Sequence, residues 1–165
     1  MNAKKAYHRA LKLIQRAPWV IVSAVDDAGW PDNAMRTNFS CVARFPALCK
    51  KANAKKLEGY SPINSYSTRL KHIIQHPKVA LSYYDATTGE TCHVQGFMRV
   101  VNDEKIRREL WQKDWEGHCP DGVNGDEYTL IRFEGVNIKY YDGKADCYWG
   151  PIDSEPKQKP SPAKQ

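Results

Sequence analysis

The sequence predicts a mainly antiparallel α+β fold of about six strands and three helices, a small closed or split barrel with the helices packed outside. Two observations carry this reading. Short β-rich runs are joined in pairs by tight turns, "DDAGW" at 26–30 and "ATTGE" at 86–90, as antiparallel strands are. The GxGxxG and P-loop signatures that accompany doubly wound nucleotide-binding sheets are both missing. A chain of 165 residues, 41% hydrophobic, fits one domain with a real core, and no internal repeat is present.

The elements follow in order. Residues 3–16 hold Ala3, Tyr7, Ala10, Leu11 and Ile14 at helical spacing, and Pro18 ends the helix. "WVIVSAV" (19–25) reads as a strand, the 26–30 turn follows, and "DNAMRTNFS" (32–40) returns as the second arm of a hairpin. Residues 43–60 are irregular, a loop with one helical turn. "SPINSYS" (61–67) is extended, and Pro62 excludes a central strand position. "TRLKHIIQ" (68–75) is a helix with Ser67 as N-cap, an apolar side of Leu70, Ile73 and Ile74, and Pro77 as its stop.

Strands are expected at 79–85 and at 91–101. Gly96 inside the second implies a bulge or a close approach. Residues 102–115 read as a helix capped by Asn102 or Asp103, with Ile106, Leu110 and Trp111 inward. Trp111 and Trp115 stand four apart, as core or interface residues do. After a loop at 117–127, "YTLIRFE" (128–134) and "VNIKYYD" (136–142) read as two final strands. The domain is assigned to 1–150. Residues 151–165 are rich in proline, lysine and serine and are expected to be a flexible tail.

Composition narrows the function. No apolar run reaches the roughly 18 residues of a membrane span, and the N-terminal stretch lacks the pattern of a signal peptide. A cytoplasmic location is the expectation. The five cysteines stand singly, with no CxxC and no zinc-ligand spacing, so free thiols and no metal site are expected. The net charge of +6 is concentrated in acid-free clusters, at Lys4, Lys5, Arg9, Lys12 and Arg16 and again at Arg44, Lys50, Lys51, Lys55 and Lys56. Such clusters suit either a solvated face or a polyanion partner. No nucleic-acid-binding signature accompanies them, so the solvated face is the expectation. The five histidines are isolated, and no Ser/His or Cys/His catalytic pattern is readable.

One stretch stands out: "NSYSTRLKHIIQHPKVALSYYD", residues 64–85. Asn64, Ser65, Ser67 and Thr68 crowd the mouth of a short helix, and Arg69 and Lys71 follow. A helix start offers free N–H groups and a positive dipole end, the serines add donors, and a guanidinium presents a planar fork to phosphate oxygens. The same residues equally suit a capped, solvated helix start. A phosphate cradle and a plain N-cap both stand on the residues alone.

The ordered set of motifs resembles the FMN-binding split barrels of the pyridoxamine 5′-phosphate oxidase-like superfamily. Residues 63–85 resemble that family's phosphate-binding segment, with Ser67 on its serine, Arg69 on its lysine and His76-Pro77 for its Asn-Pro. "HVQGFMRVVNDEKIRRELWQKDW" is similar to the strand and helix of the general-stress-protein branch. The resemblance spans residues 5–142. It implies a six-stranded antiparallel split β-barrel with flanking helices and a homodimer with FMN at the interface. It further implies that Met35, Arg36, Thr37, Asn64, Ser65, Ser67, Thr68 and Arg69 hold the cofactor. One position departs from the pattern: Ala34 stands where the family's strand carries a phosphate-binding arginine. Arg36 is the nearest substitute, although a one-residue register slip would reverse its face. The substrate-binding Arg-x-His element of the true oxidases is missing from "KADCYWGP". The resemblance therefore implies a flavin-dependent oxidoreductase whose substrate is unnamed. A non-catalytic flavin or haem sensor and a polyanion-binding protein are the alternatives.

Overall fold

The computed structural model describes residues 1–53, 57–144 and 147–152. Lys55 and Lys56 of the second basic cluster, and positions 153–165 of the tail, lie outside the described residues. The chain runs α1 (Ala3–Arg16), β1 (Trp19–Val25), β2 (Pro31–Thr37), α2 (Pro46–Lys51), β3 (Gly59–Asn64), α3 (Thr68–Gln75), β4 (Lys78–Tyr84), β5 (Thr91–Val100), α4 (Glu104–Leu110), β6 (Tyr128–Tyr141) and β7 (Cys147–Pro151). Six strands form one antiparallel path, β2-β1-β4-β5-β6-β3, curled into a half-barrel, and short β7 adds to β6 beside β3. Pro62 sits in β3 at the end of the path, where its missing N–H costs no central pairing.

The local signals explain the ends of these elements. Asp26 Oδ1 accepts from the N–H groups of Ala28 and Trp30, and Gly29 takes φ +86°, closing the β1–β2 hairpin. Asp103, rather than Asn102, caps α4 by accepting from Lys105 and Ile106. The helix expected over 102–115 stops at Leu110. The chain bends at Trp111 and resumes as a 3₁₀ turn over Lys113–Gly117. Residues 43–60 contain a helix of six residues, with Pro46 at its start.

The two strands expected at 128–134 and 136–142 are one strand of 14 residues. Gln95 pairs with Asn137, but Gly96 pairs with Gly135, so Val136 is an extra, unpaired residue. A bulge of this kind bends the strand and increases its twist. Along its length β6 serves two cores. Ile131, Phe133, Ile138 and Tyr140 face the main core with α1 and the inner faces of β1, β4 and β5. Tyr128 and Leu130 face a second core with Leu48, Tyr60, Leu110 and Trp115. Trp111 and Trp115 join this second core, edge-on to each other and against Tyr128.

The buried stripe of α1 is Ala6, Ala10, Leu13 and Ile14, slightly rotated from the face expected; Tyr7 and Leu11 pack at its margin. In α3, Leu70 and Ile73 are buried as expected, but Ile74 is exposed and His72 takes the inward place. The reason is tertiary: His72 Nδ1 lies 3.4 Å from Asp32 Oδ2 on β2.

The end of the sheet under α1 is tied by charge. Arg16 donates to Asp85 Oδ2 (2.8 Å) and to Glu90 Oε2, Tyr140 donates to Glu90 Oε1, and Arg9 lies 3.5 Å from Glu90 and 3.6 Å from Asp142. The Arg16 hydrogen bond, with the N–H groups of Thr87 and Thr88, lowers the pKa of Asp85. Burial pushes Glu90 up, but its bonds from Tyr140, Arg16 and Thr88 outweigh that and leave it below its ordinary value. Both acids are depressed, so their contribution to stability is present above the unfolded pKa values of about 4 and is lost as pH falls through the folded ones. The melting temperature is expected to hold from pH 7 to about 5 and to fall below about 4. In a thermal scan series, Arg16→Met should flatten that fall; an unchanged acid limb would remove the cluster from the explanation.

Gly96 tests the bulge. A methyl there would lie 2.7 Å from the Phe133 ring and also against the carbonyl of Glu134. Gly96→Ala is expected to lower unfolding free energy by about 2 kcal/mol or more, read from urea denaturation. A neutral result would show that β6 can shift freely.

Candidate functional site

In the 64–71 turn, most polar side chains find a partner within the protein. Ser67 Oγ accepts from Leu70 N as the N-cap of α3 (3.2 Å). Ser65 Oγ lies 2.8 Å from Thr129 Oγ1 on β6, and Asn64 Oδ1 accepts from Tyr66 N (2.8 Å). Lys71 is turned away from Arg69, as its helical position dictates, and pairs with Asp27 at the hairpin turn. Thr68 is exposed in the first turn of α3.

Arg69 has the most committed guanidinium of the group. It donates to Asp32 Oδ1 (2.8 Å), to Asp32 O (3.0 Å) and to Val22 O (3.3 Å), with a side chain only 12% exposed. It therefore staples α3 across the inner face of the β1–β2 hairpin. The carboxylate of Asp32 is shared with His72.

The register of β1 and β2 identifies the residues of that inner face. Val20, Val22 and Ala24 are buried and pair with Arg36, Ala34 and Asp32. Cross-strand partners project to the same side, so Asp32, Ala34 and Arg36 form one row. Arg36 stands two residues from Ala34, not one, and so keeps the face that the departure at Ala34 leaves without a cation. No register slip is needed.

Arg36 and Arg69 share a small cleft of about 60 Å³ between β2 and β3 at the two free edges of the half-barrel. Thr37, Ser40 and Ser61 border it, and Val20, Val22, Ile63, Met98 and Phe133 form its apolar wall. The pKa of Arg36 is lowered, first by desolvation and then by the charge of Arg69. Arg36 has no hydrogen bond or ion pair among the described residues. The cleft thus holds two guanidinium groups and one nearby carboxylate.

Of the eight residues expected to hold a cofactor, Arg36, Thr37 and Arg69 come together at this cleft. Asn64, Ser65, Ser67 and Thr68 stay on the turn that leads into α3. Met35 projects to the opposite, outer side of the sheet, opposite Ile21. Asp32 was missed by sequence reasoning. Its signal was the period-2 spacing Asp32–Ala34–Arg36, which places an acid and a cation on one strand face.

The outer face is the other notable surface. One row crosses six strands as Met35, Ile21, Ser82, His93, Lys139 and Trp149. Met35, Ile21 and Trp149, with Trp19 and Tyr84 nearby, are large apolar residues left exposed. No helix of the described residues is long and apolar enough to cross a membrane, and no group of three metal-ligating side chains is present among them.

Comparison of the whole fold with solved structures finds a protein from Clostridium acetobutylicum related to general stress protein 26, of the pyridoxinephosphate oxidase family. It is 18% identical with a TM-score of 0.73, the alignment covering 92% of this chain and 98% of that one. General stress protein 26 from Bacillus anthracis aligns at 15% identity and a TM-score of 0.62, over 87% of this chain and 98% of its own. A heme binding protein from Mycobacterium smegmatis shares the fold at 7% identity and a TM-score of 0.65, over 89% of this chain and 58% of that one. A search of curated proteins finds no match. The family model described as pyridoxamine 5′-phosphate oxidase like matches residues 59–151, from β3 through β7, which is 93 of the 165 residues. With the split half-barrel around which those residues fold, this match makes the chain a member of the pyridoxamine 5′-phosphate oxidase-like family.

Proposed function

We propose that this protein binds FMN by its phosphate at the Arg36–Arg69 cleft, works as a homodimer and acts as a flavin-dependent oxidoreductase. The observation that carries the reading is Arg36. Its side chain is exposed at the cleft, lies beside a second guanidinium, and has no anionic partner among the described residues. Such an arrangement is stabilised by a dianion with several acceptor oxygens. Arg69 is already fixed by Asp32, so it supplies positive potential and orientation, while Arg36 supplies the free fork.

Bound flavin supplies hydride and electron transfer, which no side chain in the cleft provides. The chain's own part is binding, positioning and exclusion of water by the apolar wall. The homodimer is supported by the outer face, where Trp19, Ile21 and Met35 stand exposed together on the neighbouring strands β1 and β2.

Two substitutions separate the roles of the arginines. Arg36→Ala should weaken FMN binding about 10- to 150-fold, the worth of a charge-assisted hydrogen bond, and leave riboflavin binding and thermal stability nearly unchanged. Arg69→Ala should also lower unfolding free energy by about 2 kcal/mol, because it strands Asp32 and two carbonyls. Flavin fluorescence titration against both ligands reads the first effect and urea denaturation the second. Equal affinity for FMN and riboflavin in the unmodified protein would end the phosphate reading. In the absorption spectrum of purified protein, a Soret band in place of flavin bands would move the reading to haem. A colourless protein held on heparin with steep salt dependence would move it to a polyanion.

The dimer has its own test. Light scattering at micromolar concentration should give twice the chain mass, and Ile21→Glu should give a folded monomer by placing a carboxylate in the apolar band. A monomeric unmodified protein would end the homodimer reading, whatever its flavin loading.

A further inference from the structure

The solvent side of α1 carries a separate, strongly charged surface. At about 100° per residue, Lys4, His8, Lys12 and Lys5 fall in that order along an arc of about 100°, and Arg16 and Arg9 extend it to about 140°. The opposite side holds the buried Ala6, Ala10, Leu13 and Ile14. Lys4, Lys5, His8 and Lys12 are all exposed, and no acid occurs in residues 1–16. Arg9 and Arg16, at one margin of the arc, are held by Asp85, Glu90 and Asp142. The three lysines have no ion-pair partner among the described residues. No residue of α1 borders the Arg36–Arg69 cleft or belongs to the outer row from Met35 to Trp149, so this surface does not depend on the flavin or on the dimer.

Charge alone suits a solvated face, but the placement does not. Lys4 and Lys5 stand in the first turn, at the positive end of the helix dipole, and no acid is there to offset them. A helix that needs only solvation gains stability from the reverse order, acids first and bases last. Lys12 continues the line of Lys4 and His8, about 12 Å further along the axis than Lys4. Cations lined up in this way repel one another and the dipole, and an external anion laid along them relieves both. Duplex nucleic acid carries a phosphate charge about every 1.7 Å of its axis, so a ridge of this length meets several phosphates at once. The only ring on the arc is the His8 imidazole, tied through Nδ1 to the Lys4 carbonyl at 2.7 Å, which leaves no platform for the bases of a single strand. Lysines are point charges rather than planar forks, which suits phosphates better than base edges. The apolar side of α1 lies in the main core, so the helix has nothing to insert into a lipid surface.

We propose that the face of Lys4, Lys5 and Lys12 on α1 docks on the phosphate backbone of duplex nucleic acid without regard to base sequence.

The test is fluorescence anisotropy of a labelled DNA duplex of about 20 base pairs, titrated with the full chain. Binding should be saturable and should weaken about 40-fold between 50 and 200 mM salt, as the release of counterions from three phosphate contacts requires. Two duplexes of unrelated sequence should bind alike. Combining Lys4→Gln, Lys5→Gln and Lys12→Gln should weaken binding at least about tenfold at low salt and remove most of the salt dependence. The same variant should keep FMN affinity, and its melting temperature should hold or rise, because the first turn loses two cations from its positive end. The proposal is overturned if the duplex does not bind at low salt, or if the triple variant binds it as the unmodified protein does. It is equally overturned if Arg36→Ala abolishes duplex binding, since the cleft would then be the site. Competition by polyglutamate or by anionic lipid vesicles as strong as that of unlabelled duplex would also overturn it, in favour of an acidic protein or a membrane. Loss of FMN binding by Arg36→Ala with duplex binding intact would leave this surface standing alone.

Discussion

The fold depends on one strand. β6 pairs with β5 along most of its length, with β3 through its first half and with β7 through its second. Before Val136 its alternating side chains feed two cores, Tyr128 and Leu130 one and Ile131 and Phe133 the other. The bulge at Val136 adds one residue beside the Gly96–Gly135 pair, where two backbones approach too closely for a side chain at Gly96, and so returns Ile138 and Tyr140 to the face of Ile131 and Phe133. The sheet curls there, and the curl separates β2 from β3 as the two free edges of the half-barrel. The cleft between them is a consequence of that curvature.

The Arg69–Asp32 staple then decides what the cleft can do. A guanidinium buried along the hairpin needs its donors satisfied, and Asp32 with two carbonyls satisfies them. The hydroxyls of the preceding turn are likewise used, as a helix cap and as a tie to β6. The segment that looks most like a ligand cradle in the sequence is thus also a structural joint. The free cation comes from β2, where Arg36 shares the inner face with Ala34. A phosphate bound there would meet one unpaired fork and one already held by Asp32, which is a better-ordered site than two unpaired side chains.

The two faces of the β1–β4–β5–β6 sheet have opposite characters because strands alternate their side chains. Inward, α1 and α3 cover Val20, Val22, Leu81 and Val94 and make the main core. Outward, the same strands present Ile21, Ser82, His93 and Lys139 with no helix over them. An antiparallel sheet tolerates water on one face, but a row carrying Trp149, Ile21 and Met35 is more apolar than a merely solvated face requires. The exposed apolar residues and a hollow beside Trp149 therefore lie on one side, and the Arg36–Arg69 pair on the other.

The sequence by itself determined the elements that rest on local physics. Turn chemistry at Asp26–Gly29, the Ser67 cap, the proline stops and the period-2 runs specified the hairpins, α3 and nearly every strand, because each is settled within a few residues of chain. The ordered motifs from β3 to β6 carried the family. Tertiary structure decided the rest. The joining of 128–134 and 136–142 into one bulged strand needed β5 as a partner, and β7 needed β6 as a template. His72 replaced Ile74 on the inner side of α3 because Asp32, forty residues away in sequence, stood there to meet it. The division of labour between Arg69 and Arg36 was equally invisible, since a guanidinium serves a carboxylate or a phosphate with the same fork. Only the pairing of β1 with β2, which sets Arg36 on the face of Val20 and Asp32 within reach of α3, determined which arginine was held and which was free.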